Sequence, residues 1–375
     1  MLKLSRRGMS RDEPNPFRRP PAPERVGQPR LPTLPKKAPP PFSDVQMTVV
    51  LHIGTHKTGT TAIQRFAASK RAKLRSRGLW YPSYDEIGLF VHYGHHHVAH
   101  ALANEDGNRL SLDDTRRFVD HIQAKKRRNE TVLISAEPFY RHLLPAEGGY
   151  WAERKAYIDR VRTFFPSSDV KVLAIVRRQD TFARSLYQER VKVTKYRLKF
   201  REFIATERPS FEYYNHLRLF SEAFGNVEVL AYEDLAERGL IDAFFAHLGI
   251  DVSDIPGRPS ANPSLPIDLV EFKRILNTTP LKPERLKEIG TLLLDRADRA
   301  TKIERGKVDW LSVEEMAAFY GSFAEENEKL RKEYLPGRPA PLFPAFAMPS
   351  GADVPEVYGG MSANRLAHLV AELLL

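Results

Sequence analysis

One stretch, Thr48 to Gln64 (TVVLHIGTHKTGTTAIQ), limits what this 375-residue chain can fold into more than any other. Thr48, Val49, Val50, Leu51 and Ile53 are β-branched or apolar and suit a strand buried on both faces, whereas Ile63, Phe66, Ala67 and Leu74 recur at helical spacing. Between strand and helix lie Gly54, Thr55, His56, Lys57, Thr58 and Gly59, followed by Thr60 and Thr61. Glycines let a backbone turn tightly, so that successive N–H groups converge on one anion, and the positive end of the following helix adds to that field. Lys57 contributes a mobile positive charge, and Thr60 and Thr61 contribute hydroxyl donors. The stretch therefore reads as strand, phosphate cradle and helix. A turn that only reversed the chain would need neither the lysine nor the paired threonines.

From Met47 onward the sequence alternates, which predicts an α/β fold with a parallel sheet flanked by helices. The expected strands are 48–53, 131–135, 170–176 and 227–231. The expected helices are 60–77, 113–128, 151–165, 181–195 and 240–248, with Ser111 and Asp114 spaced to cap the second of them. Beyond Asp251 the pattern holds helices at 266–277, 283–299 and 312–334 and no convincing strand. Residues 47–335 thus read as one domain, an α/β core (47–250) with a helical appendage (251–335), followed by a C-terminal extension, 336–375, that ends in a short helix.

The net charge of +11 is uneven. Residues 1–46 hold ten Lys or Arg against four Asp or Glu, a net +6, together with eleven of the twenty-eight prolines and no apolar periodicity. That composition predicts a disordered basic tail, able to touch an anionic surface weakly, and leaves Met47 as a candidate start. The absence of cysteine excludes disulfides, thiolate metal sites and a cysteine nucleophile. No apolar run nears the ~18 residues that span a bilayer. A cytoplasmic protein is expected, or one peripheral to the inner face of the membrane. Its oligomeric state is not legible.

Within the loop, the order of residues separates two chemistries. A nucleoside-triphosphate loop places lysine directly after its last glycine, whereas here Lys57 comes two residues before Gly59. The order Lys57-Thr58-Gly59-Thr60-Thr61 resembles the 5′-phosphosulfate loop of sulfotransferases, and HIGTHKTGTT is similar to the form in a bacterial branch of that family. The resemblance implies a P-loop-like fold and 3′-phosphoadenosine 5′-phosphosulfate as co-substrate, held by Gly54 through Thr61. It extends to VKVLAIVRRQDTFARSLYQERVK, Val170 to Lys192, where the family pairs a strand-end arginine with a serine eight residues later on the 3′-phosphate. Arg177 and Ser185 have that spacing. A guanidinium fork suits phosphate, and ligands gather at the carboxyl ends of strands in such sheets. LISAEPFY, YEDL (Tyr232 to Leu235) and NPSL (Asn262 to Leu265) are weaker marks of the same likeness. The glycine-rich loop that cytosolic sulfotransferases close over the nucleotide is missing, with Arg258, Ser260 and Asn262 as stand-ins.

Sulfuryl transfer requires an acceptor oxygen to lose its proton and the leaving bridging oxygen to be neutralised. Lys57 fits the second task. Candidates for the first are His97, ranked ahead of His96 in the run YGHHHVAH, with Glu137 close behind. A neutral imidazole takes a proton at physiological pH without a large pKa shift, whereas a glutamate must be raised by burial. His96 and His100 share a face if their segment is helical, but with no third ligand at a recognisable spacing, no metal is expected.

The acceptor implied by the resemblance is a hydroxyl of a carbohydrate or glycolipid. The basic run Arg190, Lys192, Lys195, Arg197, Lys199 and Arg201, and the aromatics Trp80, Tyr81, Tyr187 and Tyr196, are open to an acceptor-binding or a structural role. Two other classes stay open: a P-loop kinase, and a non-catalytic nucleic-acid binder acting through the basic tail and Lys125 to Arg128.

Overall fold

Alternation along the strands produces a sheet with two buried faces. The computed structural model describes residues 48–166, 169–258, 265–295 and 308–374, all within one compact unit. The expectations for the N-terminal tail, for Met47, and for Ser260 and Asn262 lie outside these residues. The sheet comprises β1 (Val49–His52), β2 (Leu79–Trp80), β3 (Thr131–Ser135), β4 (Val170–Val176) and β5 (Val227–Ala231) in the spatial order β2-β3-β1-β4-β5. Every neighbouring pair is parallel. Val49 is in register with Val132 on one side and Val170 on the other. Because successive side chains of a strand point to opposite faces, Val49, Leu51, Val132, Val172 and Val176 enter one core, while Val50, Leu133, Leu173 and Ile175 enter the other.

Helices cover both cores. After β1 come α1 (Thr60–Ser69) and α2 (Arg71–Arg75); between β2 and β3 lie α3 (His96–Leu102) and α4 (Leu112–Lys125). Next, α5 (Pro138–Arg141) and α6 (Tyr150–Phe164) link β3 to β4, and α7 (Gln179–Val193), α8 (Phe200–Thr206) and α9 (Tyr213–Phe224) link β4 to β5. Then come α10 (Tyr232–Glu237), α11 (Leu240–His247), α12 (Ile267–Leu276), α13 (Pro283–Asp295), α14 (Val313–Gly321), α15 (Ala324–Tyr334) and α16 (Ala363–Leu374). The capping box at α4 forms, with Ser111 Oγ accepting from the Asp114 N–H at 3.0 Å.

The helix expected over 60–77 is two helices, broken at Lys70, and the chain then turns so that Leu79 and Trp80 join the sheet beside β3. The one expected over 312–334 breaks at Phe323, whose ring packs into an aromatic cluster with Phe211 and Phe319. A strand does occur beyond Asp251, contrary to expectation: β6 (Val308–Asp309) pairs with β7 (Glu356–Val357). The C-terminal helices seat on the core rather than trail from it. Gln179 of α7 and Asn327 of α15 exchange two side-chain hydrogen bonds at 2.7 and 3.1 Å, and Arg365 of α16 pairs with the buried Asp268 at 2.5 Å.

Candidate active site

Three adjacent strands, β3, β1 and β4, end on the same edge of the sheet, and the segments that leave them meet in one cleft of about 880 Å³. This is the edge at which open α/β sheets bind ligands.

After β1 the loop is pinned to its neighbour: the Thr55 N–H and Oγ1 both donate to Ile175 O of β4, at 3.2 and 2.8 Å. Thr58 Oγ1 donates back to Thr55 O at 2.6 Å, which closes the loop on itself. Lys57 and Gly59 lie in the left-handed region, at φ 68° and 78°. The left-handed φ is what calls for glycine at 59, and a Cβ there would also have to push aside Leu240, whose Cδ2 would stand 2.1 Å away. Helix α1 starts there without a side-chain cap. The first N–H groups of a helix have no intrahelical acceptor, so those of Gly59, Thr60 and Thr61 are available to an anion.

After β4, Arg177 points back at this loop. Its Nη1 donates to Lys57 O at 3.0 Å, its Nε to Thr181 Oγ1 at 3.0 Å, and its guanidinium lies 4.9 Å from the centre of the Tyr232 ring. Ser185, in the second turn of α7, lines the same cleft. The Lys57 ammonium rests 3.4 Å from Glu189, which also pairs with Lys192 at 2.8 Å. Burial works to raise the Glu189 pKa, but the Lys192 hydrogen bond and the Lys57 charge outweigh it and hold this carboxyl below its ordinary value.

After β3 stands Glu137, buried, its Oε2 bonded to His96 Nε2 and within 3.3 Å of Gln64 Nε2. Burial alone would raise its pKa; the bond and charge of His96, with the charge of His56, bring it down to about 2. Gln64, on α1, also reaches Ser135 O at 3.1 Å and His96 Nε2 at 3.3 Å. One amide thus joins the helix that follows the 54–61 loop to the carboxylate across the cleft.

The three consecutive histidines separate because successive helical positions are rotated by about 100°. His95 is structural: it accepts from the Ser135 N–H at 3.0 Å, its Nε2 meets Pro82 O at 3.0 Å, and burial lowers its pKa to about 3. His96 lines the cleft. His97, ranked first among the bases from sequence, does not line it; its Nδ1 lies 2.5 Å from Asn108 Oδ1, and Asn108 in turn donates to the His97 carbonyl at 2.9 Å. Of the cradle residues, His56, Lys57, Gly59, Thr60 and Thr61 line the cleft, while Gly54, Thr55 and Thr58 lie beneath it. Arg258 lines it too, its Nε 3.2 Å from Asp242.

Of the aromatics left open by the sequence, Trp80, Tyr81 and Tyr187 are buried in the core and Tyr196 packs against it partly buried. In the basic run, Lys192 lines the cleft, but Arg190 pairs with Glu207 at 3.1 Å and Arg197 donates to Asn277 O at 3.0 Å.

Sequence reasoning missed Gln64 and Arg154. Gln64 carries a weak signal, a polar residue on the apolar face of α1. Arg154, fully buried in α6, donates to Phe139 O at 2.7 Å, His142 O at 2.8 Å and His216 Nδ1 at 3.0 Å, and so clamps the short helix behind Glu137. Nothing local to Arg154 marks that role.

An open parallel α/β protein with a cationic cleft across the ends of its three middle strands is the class these features define. No family model matches the chain. It is similar to an uncharacterized protein of Archaeoglobus fulgidus, 28% identical over 188 residues, which are 47% of this chain and 49% of that protein. The chain therefore spans about half the length of the curated relative it matches. Among solved structures it is similar to a sulfotransferase from Alicyclobacillus acidocaldarius, with a TM-score of 0.42 and 15% identity, over 78% of this chain and 99% of that one.

Proposed function

We propose that this protein is a sulfotransferase that moves the sulfuryl group of 3′-phosphoadenosine 5′-phosphosulfate to a hydroxyl of a carbohydrate or glycolipid. The observation that carries the reading is the meeting of Lys57, Arg177 and Ser185 in one cleft, with Arg177 bonded to the Lys57 carbonyl although 120 residues separate them. The cleft fits a doubly phosphorylated nucleotide: its loop is cationic, the helix behind it is uncapped, and the buried His56 Nε2 has no hydrogen-bond partner. In this reading His56, Lys57, Gly59, Thr60 and Thr61 hold the 5′-phosphosulfate on a loop that Gly54, Thr55 and Thr58 support from beneath, and Arg177 with Ser185 holds the 3′-phosphate. The acceptor class rests on the family resemblance of the loop.

Each residue has a separate task. His96 takes the acceptor proton. Glu137, ionised and bonded to its ring, orients it and stabilises the imidazolium that forms. The acceptor oxygen displaces the bridging oxygen at sulfur, and Lys57 neutralises the charge that collects on that leaving oxygen. The scheme calls on no metal. Among the described residues no helix is long and apolar enough to cross a membrane, and we assign the basic tail to weak contact with an anionic surface.

The test is binding of adenosine 3′,5′-bisphosphate, followed by an acceptor screen with labelled donor. The bisphosphate is expected to bind more tightly than adenosine 5′-phosphate, and Arg177→Ala to weaken it by about 2 kcal/mol, roughly thirtyfold. Equal affinity for the two nucleotides in the wild type would remove Arg177 from the 3′-phosphate. Magnesium-dependent transfer from ATP, with no sulfuryl transfer, would move the kinase reading ahead.

A further inference from the structure

Beside the cleft, outside the machinery described above, a second group of residues converges. His100 Nδ1, His142 Nε2 and Glu105 Oε2 lie 2.5 to 3.1 Å from one another. The fold assembles them from three segments. Helix α3 ends in a Schellman turn: Asn104 takes φ 54°, its N–H donates to Ala101 O at 3.0 Å, and the Glu105 N–H donates to His100 O at 3.0 Å. That reversal folds Glu105 back over the His100 ring. His142 comes from the end of α5, where Arg154 holds its carbonyl at 2.8 Å, and its ring stands 5.0 Å from that of His100 at 72°. Glu105 is five residues from His100 but thirty-seven from His142, so no sequence spacing reveals the set.

The triangle is hard to satisfy with protons alone. If both facing nitrogens carry a hydrogen, each can donate to Glu105, but the two N–H groups then face each other across 2.9 Å. If one nitrogen carries a hydrogen, it serves only one of two acceptors. A cation served by all three atoms removes the conflict. At the usual zinc–ligand length of about 2 Å, such an ion would sit roughly 1 Å out of the plane of the three atoms, which leaves a fourth position for water or another ligand. Arg141 opposes this, its Nη2 3.9 Å from Glu105, but it competes for the carboxylate alone.

We propose that His100, Glu105 and His142 form a binding site for a divalent transition metal of the zinc class at the rim of the cleft. Two imidazoles and a carboxylate are the ligand set of zinc sites that keep an open position. Because His100 itself lines the cleft, the ion would border it.

The experiment uses the full chain, stripped of metal and titrated with Zn²⁺ by calorimetry and with Co²⁺ by visible absorption. The expected result is one equivalent bound, with the intense absorption of four-coordinate cobalt. Affinity should fall at least tenfold in Glu105→Gln, in His100→Ala and in His142→Ala, and stay unchanged in His247→Ala, which lies on α11 and bonds Glu228. Glu105 is solvent-exposed, so Glu105→Gln keeps the test open even where a histidine variant fails to fold. Absence of stoichiometric binding would overturn the proposal. So would binding that Glu105→Gln and His100→Ala leave intact, which would place the ion on other histidines. The titration needs neither donor nor acceptor, so its failure and that of the sulfuryl-transfer reading are separate outcomes.

Discussion

The two sides of the cleft are built on different principles. The loop side centres on one continuous stretch, residues 54–61, to which the turn after β4 adds Arg177 and helix α7 adds Ser185, Gln188, Glu189 and Lys192. The opposite side is assembled from α1, α3 and the turn after β3, through Gln64, His96 and Glu137. A backbone cradle for an anion has to be local, because consecutive N–H groups must point at one place. A proton-transfer pair is under no such constraint, since two side chains can meet from any two elements of a rigid sheet. The loop side therefore tolerates little change in backbone, and the opposite side little change in packing.

The largest expected effect falls on the assembled side. His96→Ala and Glu137→Gln should each lower turnover by about two to four powers of ten, while bisphosphate affinity stays nearly unchanged. His97→Ala should stay within about tenfold of wild type, because it lies outside the cleft and its loss acts only through the Asn108 contact. Steady-state kinetics beside nucleotide titration separates the three. A loss at Glu137→Gln with His96→Ala intact would make the carboxylate itself the base. A loss of nucleotide affinity in His96→Ala would erase the division between the two sides.

Next comes the loop side, where Lys57→Ala should cost about two to three powers of ten in turnover at saturating donor. Removing a donor to charge that develops at the leaving oxygen affects the transition state more than the ground state. Unchanged turnover at saturation would take Lys57 out of the chemistry and leave it as a binding residue.

This difference in construction also explains what was legible in the sequence. The parallel α/β architecture and the strand–loop–helix turn at 49–69 were readable because periodicity and glycine placement are local signals. Arg177 and Ser185 were paired through the family resemblance, since the Arg177 bond to the Lys57 carbonyl crosses 120 positions and Ser185 meets the loop only by lining the same cleft. The choice between His96 and His97 was not readable. They share one chemistry with each other and with His95, and only the placement of α3 against β3 decides that His95 is structural, His96 lines the cleft and His97 meets Asn108. Helix α9 went unassigned as well, although Tyr213, His216, Leu217, Phe220 and Phe224 form its buried face. The β2 strand is two residues long, too short for any periodicity to appear.

A smaller effect, shared by both sides, concerns pH. Burial lowers the pKa of His52 and of His56 to about 4, and that of His95 to about 3, against an ordinary 6.5. Below pH 6.5 the unfolded chain binds protons that the folded chain refuses, so the stability these rings contribute is complete above 6.5. It is lost as pH falls toward 4, by up to about 1.4 kcal/mol per pH unit for each ring. Glu137 adds a loss in a different window: its pKa of about 2 lies below the ordinary 4.5, so its contribution holds above 4.5 and is lost only as pH falls from there toward 2. Denaturant midpoints should therefore already decline between pH 6.5 and 5. A flat midpoint over that interval would show that the buried rings are charged in the fold.

The smallest effect compares two non-glycine residues held at positive φ, one in the loop after β1 and one in the turn that ends α3. Lys57 stands at φ 68° and Asn104 at φ 54°. Asparagine tolerates the left-handed region, whereas lysine there costs about 1–2 kcal/mol. Replacing Lys57 by glycine relieves that cost but adds about 0.5–1 kcal/mol of backbone entropy lost on folding. The balance makes Lys57→Gly more stable than Lys57→Ala, which keeps the strain, by roughly 0.5 kcal/mol. At Asn104 there is little strain to relieve, so Asn104→Gly should leave stability within about 0.5 kcal/mol of wild type, and Asn104→Ala should cost about 1 kcal/mol. Chemical denaturation of the four variants measures this. Strain confined to the residue proposed to meet the anion is expected where a backbone is held for function. If Lys57→Gly proved no more stable than Lys57→Ala, the loop would hold Lys57 without strain, and the contrast between an over-determined loop and a relaxed turn would fail at its most local point.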